Sequence, residues 1–199
     1  MIAETDKQNR RVTRGRRAQR RLYHCRDSRG RTTVLSTAGM ARVKSHEKRA
    51  AILRAAVHEI AKAGLGAPTA KIASRAGVAA GTLFTYFANK EELLNELYVE
   101  LKGEVYARIN TNFPHQGNLE RRARHIWSSS LDWGIEFPEK RKASVQLNVS
   151  DLITFETRAR TAAQRGTVDR TLNELGTRGA LRGLRVAVVN QGASVLAIG

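Results

Sequence analysis

The most constraining feature of this sequence lies between residues 72 and 83. Ile72-Ala73, Ala76-Gly77-Val78 and Leu83 succeed one another at the spacing that two short helices joined by a tight turn require. Small Ala73 lets the helices cross closely. Gly77 supplies the positive φ on which such a turn depends. Val78 and Leu83 bury the back of the second helix, leaving its other face free to enter a DNA major groove. Any pair of antiparallel helices shares part of this pattern; the full set is that of a helix-turn-helix.

The flanking residues extend it. Ser45 can cap a helix over 46–63, with Glu47 in its first turn and Ile52, Leu53, Ala56 and Ile60 on one apolar face. Gly64 stands where a left-handed cap is expected. Pro68 suits the first turn of a second helix, which runs to residue 75. The third begins at 79 or 80. Asn89 caps a fourth, with Glu91 and Glu92 in its first turn and Leu94, Leu97, Leu101 and Val105 as its stripe.

Within this stretch, residues 67–93 carry Ile72-Ala73, Ala76-Gly77-Val78, Gly81-Thr82-Leu83-Phe84, Tyr86-Phe87 and Lys90-Glu91-Glu92-Leu93. In order and spacing this closely resembles the DNA-binding domain of the tetracycline-repressor (TetR) family. The likeness covers residues 46–105 and is weak beyond. It departs from the family pattern at Ala79, where a capping Ser is common, and at Phe84, where Tyr is common. The missing cap costs about 1 kcal/mol.

The resemblance implies roles for particular side chains. Thr82, Tyr86 and Lys90 match the family's phosphate clamps. Core packing is the competing reading for Tyr86. Ala80, Gly81, Phe84 and Thr85 lie nearest base edges, so readout leans on close approach, methyl contacts and DNA shape. Thr69 and Lys71 sit on the helix that crosses the backbone and can add phosphate contacts, although Lys71 reads equally well as a solvated lysine. Arg42 and Lys44 precede the first helix and can reach the adjacent backbone or minor groove. The fourth helix would transmit between DNA-binding and ligand domains.

The C-terminal half reads as helical and poor in chemistry. A helix over 117–136 carries Trp127, Leu131 and Ile135 at i+4; Pro138 ends it and starts the next, over 139–149. A further helix spans about 150–175, with Gly166 as a candidate interruption. Trp127, Trp133, Phe137 and Phe155 either line a pocket for an apolar effector or simply pack a core. From Gly176 the amphipathic pattern degrades, although the resemblance calls for two more helices there. A reduced domain, a truncation and a frame change all fit. The fold class is all-α: a three-helix DNA-binding domain over 41–105 and a ligand and dimerisation domain over 106–199.

Net charge is +17, and nearly half of the excess sits in residues 1–40, which hold ten Arg and one Lys against three acids. Residues 10–21 show neither helical nor strand periodicity, so residues 1–40 read as a disordered basic arm. It is either a phosphate-neutralising tail or upstream sequence ahead of a true start at Met40. No apolar run approaches the roughly 20 residues needed to span a bilayer, and none opens the chain as a secretory signal would. The single cysteine, Cys25, fits a reducing, cytoplasmic compartment. No phosphate loop is present, and His24, His46, His58, His115 and His125 lack zinc-site spacing. Cys25 and Ser128-Ser129-Ser130 have no triad partners. The reading is therefore no enzyme, no metal and no cofactor. It is a DNA-binding regulator, a ligand-responsive repressor acting as a homodimer on a palindromic operator in double-stranded DNA, with an unknown small-molecule effector and no membrane. The rival is a non-specific basic protein associated with nucleic acid or ribosomes.

Overall fold

Residues 22–26 and 32–178 are described in the computed structural model of the chain, with side-chain surroundings from Ser45 onward. Two compact units divide between His46 and Glu47. In the first, strands β1 (Leu22–Arg26) and β2 (Thr32–Ser36) pair antiparallel, with Leu22 opposite Ser36 and Arg26 opposite Thr32. These strands are the structure described ahead of α1 within the segment expected to be a basic arm. The local sequence explains the hairpin: β1 has Leu22, Tyr23 and His24, β2 has Thr32, Thr33 and Val34, and such residues suit a pleated strand. Residues 1–21, and with them the Arg-rich run, lie outside the described residues.

Helix α1 (Thr37–Ala63) starts nine residues earlier than the apolar pattern suggests. Ser45 is therefore inside the helix rather than its cap. Ala38, Met40, Ala41 and Arg42 are good helix formers that carry the helix back without an apolar stripe. The side chains of Arg42 and Lys44 lie outside the described ones.

From Glu47 on, the second unit is helical: α2 (Thr69–Arg75), α3 (Ala80–Tyr86), α4 (Lys90–Asn110), α5 (Leu119–Glu136), α6 (Pro138–Asn148), α7 (Phe155–Ala162), a 3₁₀ turn (Ala163–Arg165) and α8 (Gly166–Arg178). The helix expected over 150–175 is thus two helices, broken by the 3₁₀ turn just before Gly166. The doubtful stretch after Gly176 lies almost entirely outside the described residues, which end at Arg178.

One apolar cluster joins α1 to α4 and continues into the C-terminal helices. It holds Ile52, Leu53, Ala56, Ile60, Ile72, Leu83, Phe87, Leu93, Leu94, Leu97 and Leu101 together with Trp133, Ala143, Leu147 and Ile153. A boundary at residue 105 is therefore no break in packing. A second cluster, Ile109, Phe113, Ile126, Val168 and Leu172, closes the far end of α4 against α5 and α8.

The stripe expected on α5 is displaced by one residue. Ile126, Ser129, Trp133 and Gly134 face inward, whereas Trp127 is 44% and Ile135 78% exposed. A methyl group on Gly134 would lie 3.0 Å from Cδ of Arg141, a side chain of α6 that would have to give way slightly.

Polar ties hold the helices. Asn95, buried on α4, donates to the carbonyls of Glu91 (2.7 Å) and Leu152 (2.9 Å) and accepts from the amide of Thr154 (3.0 Å). Glu96 accepts from Arg49 of α1 (2.6 Å) and from Arg160 of α7 (2.5 Å). Glu59 accepts from Arg75 (2.6 Å), pinning the end of α2 to α1.

The turn after α2 is a Schellman cap. Val78 donates to the carbonyl of Ala73 (3.0 Å) and Gly77 to that of Ser74 (3.1 Å). Gly77 has φ +68, and nothing lies within 4 Å of where a Cβ would sit. Any cost of substitution is therefore conformational and not a clash. Gly77→Val should destabilise the protein by about 1–2 kcal/mol, and Gly77→Asn, which tolerates the left-handed region, by clearly less. Urea unfolding of both variants checks this; equal losses would contradict it.

The Arg75 guanidinium hydrogen-bonded to Glu59 holds that carboxyl below its usual value of 4.5, against the opposing effect of burial. A depressed carboxylate contributes stability above its unfolded pKa and loses it as pH falls through the folded one. Glu59→Gln should lower the melting temperature at neutral pH and leave a smaller decline on acidification than the parent chain shows. Parallel thermal melts from about pH 7 to pH 3 read both effects.

Candidate nucleic-acid interface

The helix α3 sorts its residues cleanly. Leu83 is fully buried on its inner side. Ala80, Gly81, Phe84 and Thr85 are exposed, and their i, i+4 spacing sets them on one outer face. Phe84 is 47% exposed, an apolar ring held in water by a short helix. Thr85 bonds its hydroxyl to the carbonyl of Gly81 (3.2 Å), which leaves its methyl group as well as the hydroxyl on that face. The N-cap position is held by Ala79, with no side-chain cap.

Thr82 and Tyr86, one helical turn apart, are half-buried beside this face. The Tyr86 ring packs against the main core. The residue as a whole is only half-buried, so core packing does not enclose it. Lys90 is half-buried at the first turn of α4. That turn is tightly made. Asn89 accepts from the amide of Glu92 (2.7 Å), and Glu92 reaches back to the amide of Ala88 (2.5 Å). This reciprocal cap fixes Lys90 relative to α3. Thr69 and Lys71 lie in the first turn of α2, half-buried and exposed respectively.

Sequence reasoning missed what stands behind the face. The pair Arg75–Glu59 and the pair Arg49–Glu96 fix α2 and α4 to α1. Their partners are 16 and 47 residues apart, and no local spacing announces them.

The four aromatic residues expected at a ligand pocket do not come together. Trp127 is 44% and Phe155 87% exposed, while Trp133 and Phe137 lie 6.3 Å apart with tilted rings. Trp133 donates to Glu104 (3.3 Å), and Lys140 stands 4.7 Å over Phe137 while bonding Glu104 (2.7 Å). These two rings are packing elements in a polar-lined seam. A groove of about 290 Å³ lies instead at α1 and the end of α2, lined by Ala51, Arg54, Ala55, His58, Arg75 and Ala76 without an aromatic ring. Among the described residues no group of three or more His, Cys, Asp or Glu is placed to hold a metal ion. Nor is any helix there long and apolar enough to cross a membrane.

Comparison with known proteins agrees with this geometry. The profile of bacterial regulatory proteins of the tetR family matches residues 52–97, which run from α1 into α4. Over 72 residues, 36% of this chain, the sequence is 36% identical to the fatty acid metabolism regulator protein of Bacillus subtilis. The aligned part spans 37% of that relative's length. Among solved structures, a tetR-family transcription regulator from Shewanella sp. PV-4 superposes with a TM-score of 0.66 at 25% identity, covering 76% of this chain and 84% of the other. FadR from Bacillus subtilis, solved with stearoyl-CoA, shares the fold at 22% identity, with a TM-score of 0.57 over 74% of this chain and 82% of its own. The helix-turn-helix of α2 and α3, the helices around it and these likenesses together identify residues 52–97 as a DNA-binding domain of the tetR type.

Proposed function

We propose that this chain is a ligand-responsive transcriptional repressor that binds a near-palindromic operator as a homodimer. The observation that carries the reading is the outer face of α3, with Ala80, Gly81, Phe84 and Thr85 exposed in one row above a fully buried Leu83. Small residues let the helix approach the floor of a major groove, and the Phe84 ring and Thr85 methyl suit thymine methyl groups. Thr82, Tyr86 and Lys90 flank the row as phosphate contacts, joined by Thr69 and Lys71 from α2. Two such helices in a dimer would stand about 34–36 Å apart, one turn of DNA. An effector would act by shifting the population of dimers whose spacing fits. That FadR, which shares the fold, was solved in complex with stearoyl-CoA supports a small-molecule effector.

The rival, a basic protein that binds nucleic acid through charge alone, draws on the net charge of +17. Salt separates the two. Bulk electrostatic binding collapses on every sequence as salt rises, whereas a regulator keeps its preference for one. Selection of bound sequences from a random DNA pool should yield a palindrome. A pool that stays random after repeated rounds would refute the regulator.

On the selected operator, Tyr86→Phe should weaken binding to cognate and unrelated DNA alike, by about 1 kcal/mol, because one phosphate hydrogen bond is lost and no base contact. Gel shifts on both DNAs measure it. Phe84→Ala should act differently, reducing affinity for the operator more than for unrelated DNA, since a methyl contact carries sequence information. A uniform loss for Phe84→Ala would remove it from the reading face.

A further inference from the structure

A cluster of cations gathers around one buried ring of α4. Tyr98, 7% exposed, has two cations over its ring: Nζ of Lys102 at 5.4 Å and the guanidinium of Arg158 at 5.7 Å. Arg158 comes from α7 and is anchored to the carbonyls of Asn148 (3.2 Å) and Ser150 (2.9 Å), so its position is set by backbone. A third cation, Arg165 of the 3₁₀ turn, interacts with both Lys102 and Tyr106. Asp169 of α8 contributes a carboxylate, 3.6 Å from Nε of Arg165. That distance is too long for a hydrogen bond, and the Arg165 Nε and the Asp169 Oδ1 are both buried without one.

The orphaned Arg165 donor leaves this arrangement incomplete. Like charges gathered in a shielded place repel one another, and a buried donor left unpaired is unfavourable. Burial, reinforced by Arg165 and Arg158, lowers the pKa of Lys102 to about 8. Burial likewise raises the Tyr106 phenol and keeps it neutral, so it adds no negative charge to offset the cations. Lys102, Tyr106, Arg158 and Arg165 are each half-buried and so keep a route to solvent.

We propose that Lys102, Arg158 and Arg165, with the rings of Tyr98 and Tyr106 as apolar walls, bind the oxyanion group of a small amphiphilic molecule. A carboxylate or phosphate oxygen would take the orphaned Arg165 donor and stand between the cations, and the apolar remainder would lie along the two tyrosines. This rests on the reading of the chain as an effector-responsive regulator and names the chemistry of its effector. It also places the effector on α4, the helix that follows α3 in the chain.

The test uses the full chain with three eight-carbon probes, octanoate, octyl phosphate and octanol, followed by calorimetry and thermal melts. The two anions should bind with one site per chain and raise the melting temperature, while octanol does neither; the tighter anion identifies the headgroup. Lys102→Met and, independently, Arg165→Gln should each weaken the anions by roughly tenfold or more, as expected for loss of a charge-assisted contact. In the parent chain, affinity should hold below about pH 8 and then fall toward tenfold per pH unit as Lys102 loses its proton; in Lys102→Met it should be weak and flat. A lysine that only fills space would give no such slope. Failure of both anions to bind, octanol binding as well as they do, or undiminished binding in both variants would each overturn the site. Gel shifts on the same samples keep the two readings apart. Anion binding that leaves operator affinity unchanged would count against the effector role while upholding the site. Operator release without the pH slope would uphold the regulator and reject the site.

Discussion

The burial of α4 on more than one side is the constraint on which the rest of the molecule depends. Leu93, Leu94 and Leu97 are wholly buried, and Leu101 nearly so, in a core shared with α1, α2 and α3 on one side and with Trp133, Ala143, Leu147 and Ile153 on the other. Each fully buried leucine contributes about 1.5–3 kcal/mol. The DNA-binding helices therefore do not hang from a linker. They share a core with the region beyond them, and the helix-turn-helix end of that core is set by the cap at Asn89 and the turn at Gly77.

This sharing explains what the sequence disclosed and what it hid. The helix-turn-helix was legible because its determinants are local. Gly77 must accept a positive φ, Ala73 must be small, and Leu83 must be apolar, all within eleven residues. Asn89 could be read as a cap because its partner, the amide of Glu92, is three residues away. The inner face of α5 was not legible. Trp127, Leu131 and Ile135 repeat well, but the helix turns Ile126, Ser129, Trp133 and Gly134 inward, against partners distant in sequence such as Glu104 of α4 and Val168 of α8. The hairpin of Leu22–Arg26 and Thr32–Ser36 was overlooked for a different reason. Its strand-forming residues sit beside an arginine-rich run whose charge dominated the reading of the whole segment.

The candidate DNA-reading face was within reach of sequence because all its residues fall on one seven-residue helix. The cation cluster around Tyr98 was not. Lys102, Arg158 and Arg165 span more than sixty positions and belong to α4, α7 and the 3₁₀ turn. Taken singly, each looks like an ordinary surface cation, and only the fold makes them neighbours.

Glu96 gives one carboxylate to two claimants. Arg49 approaches from α1 and Arg160 from α7, each bonding a different oxygen. The side chain is a tug-of-war in which neither arginine has the two-pronged grip a guanidinium prefers. Any shift that carries α7 away releases one oxygen, and Arg49 gains the freedom to take both. Withdrawal of α7 would thus become a firmer hold of α1 on α4 through the same carboxylate. Partly exposed ion pairs of this kind are worth up to about 1 kcal/mol each, so the exchange is small. It is nonetheless of the order by which one binding site commonly biases another, and a soft contact of this size can be reversed by a ligand where a rigid one could not.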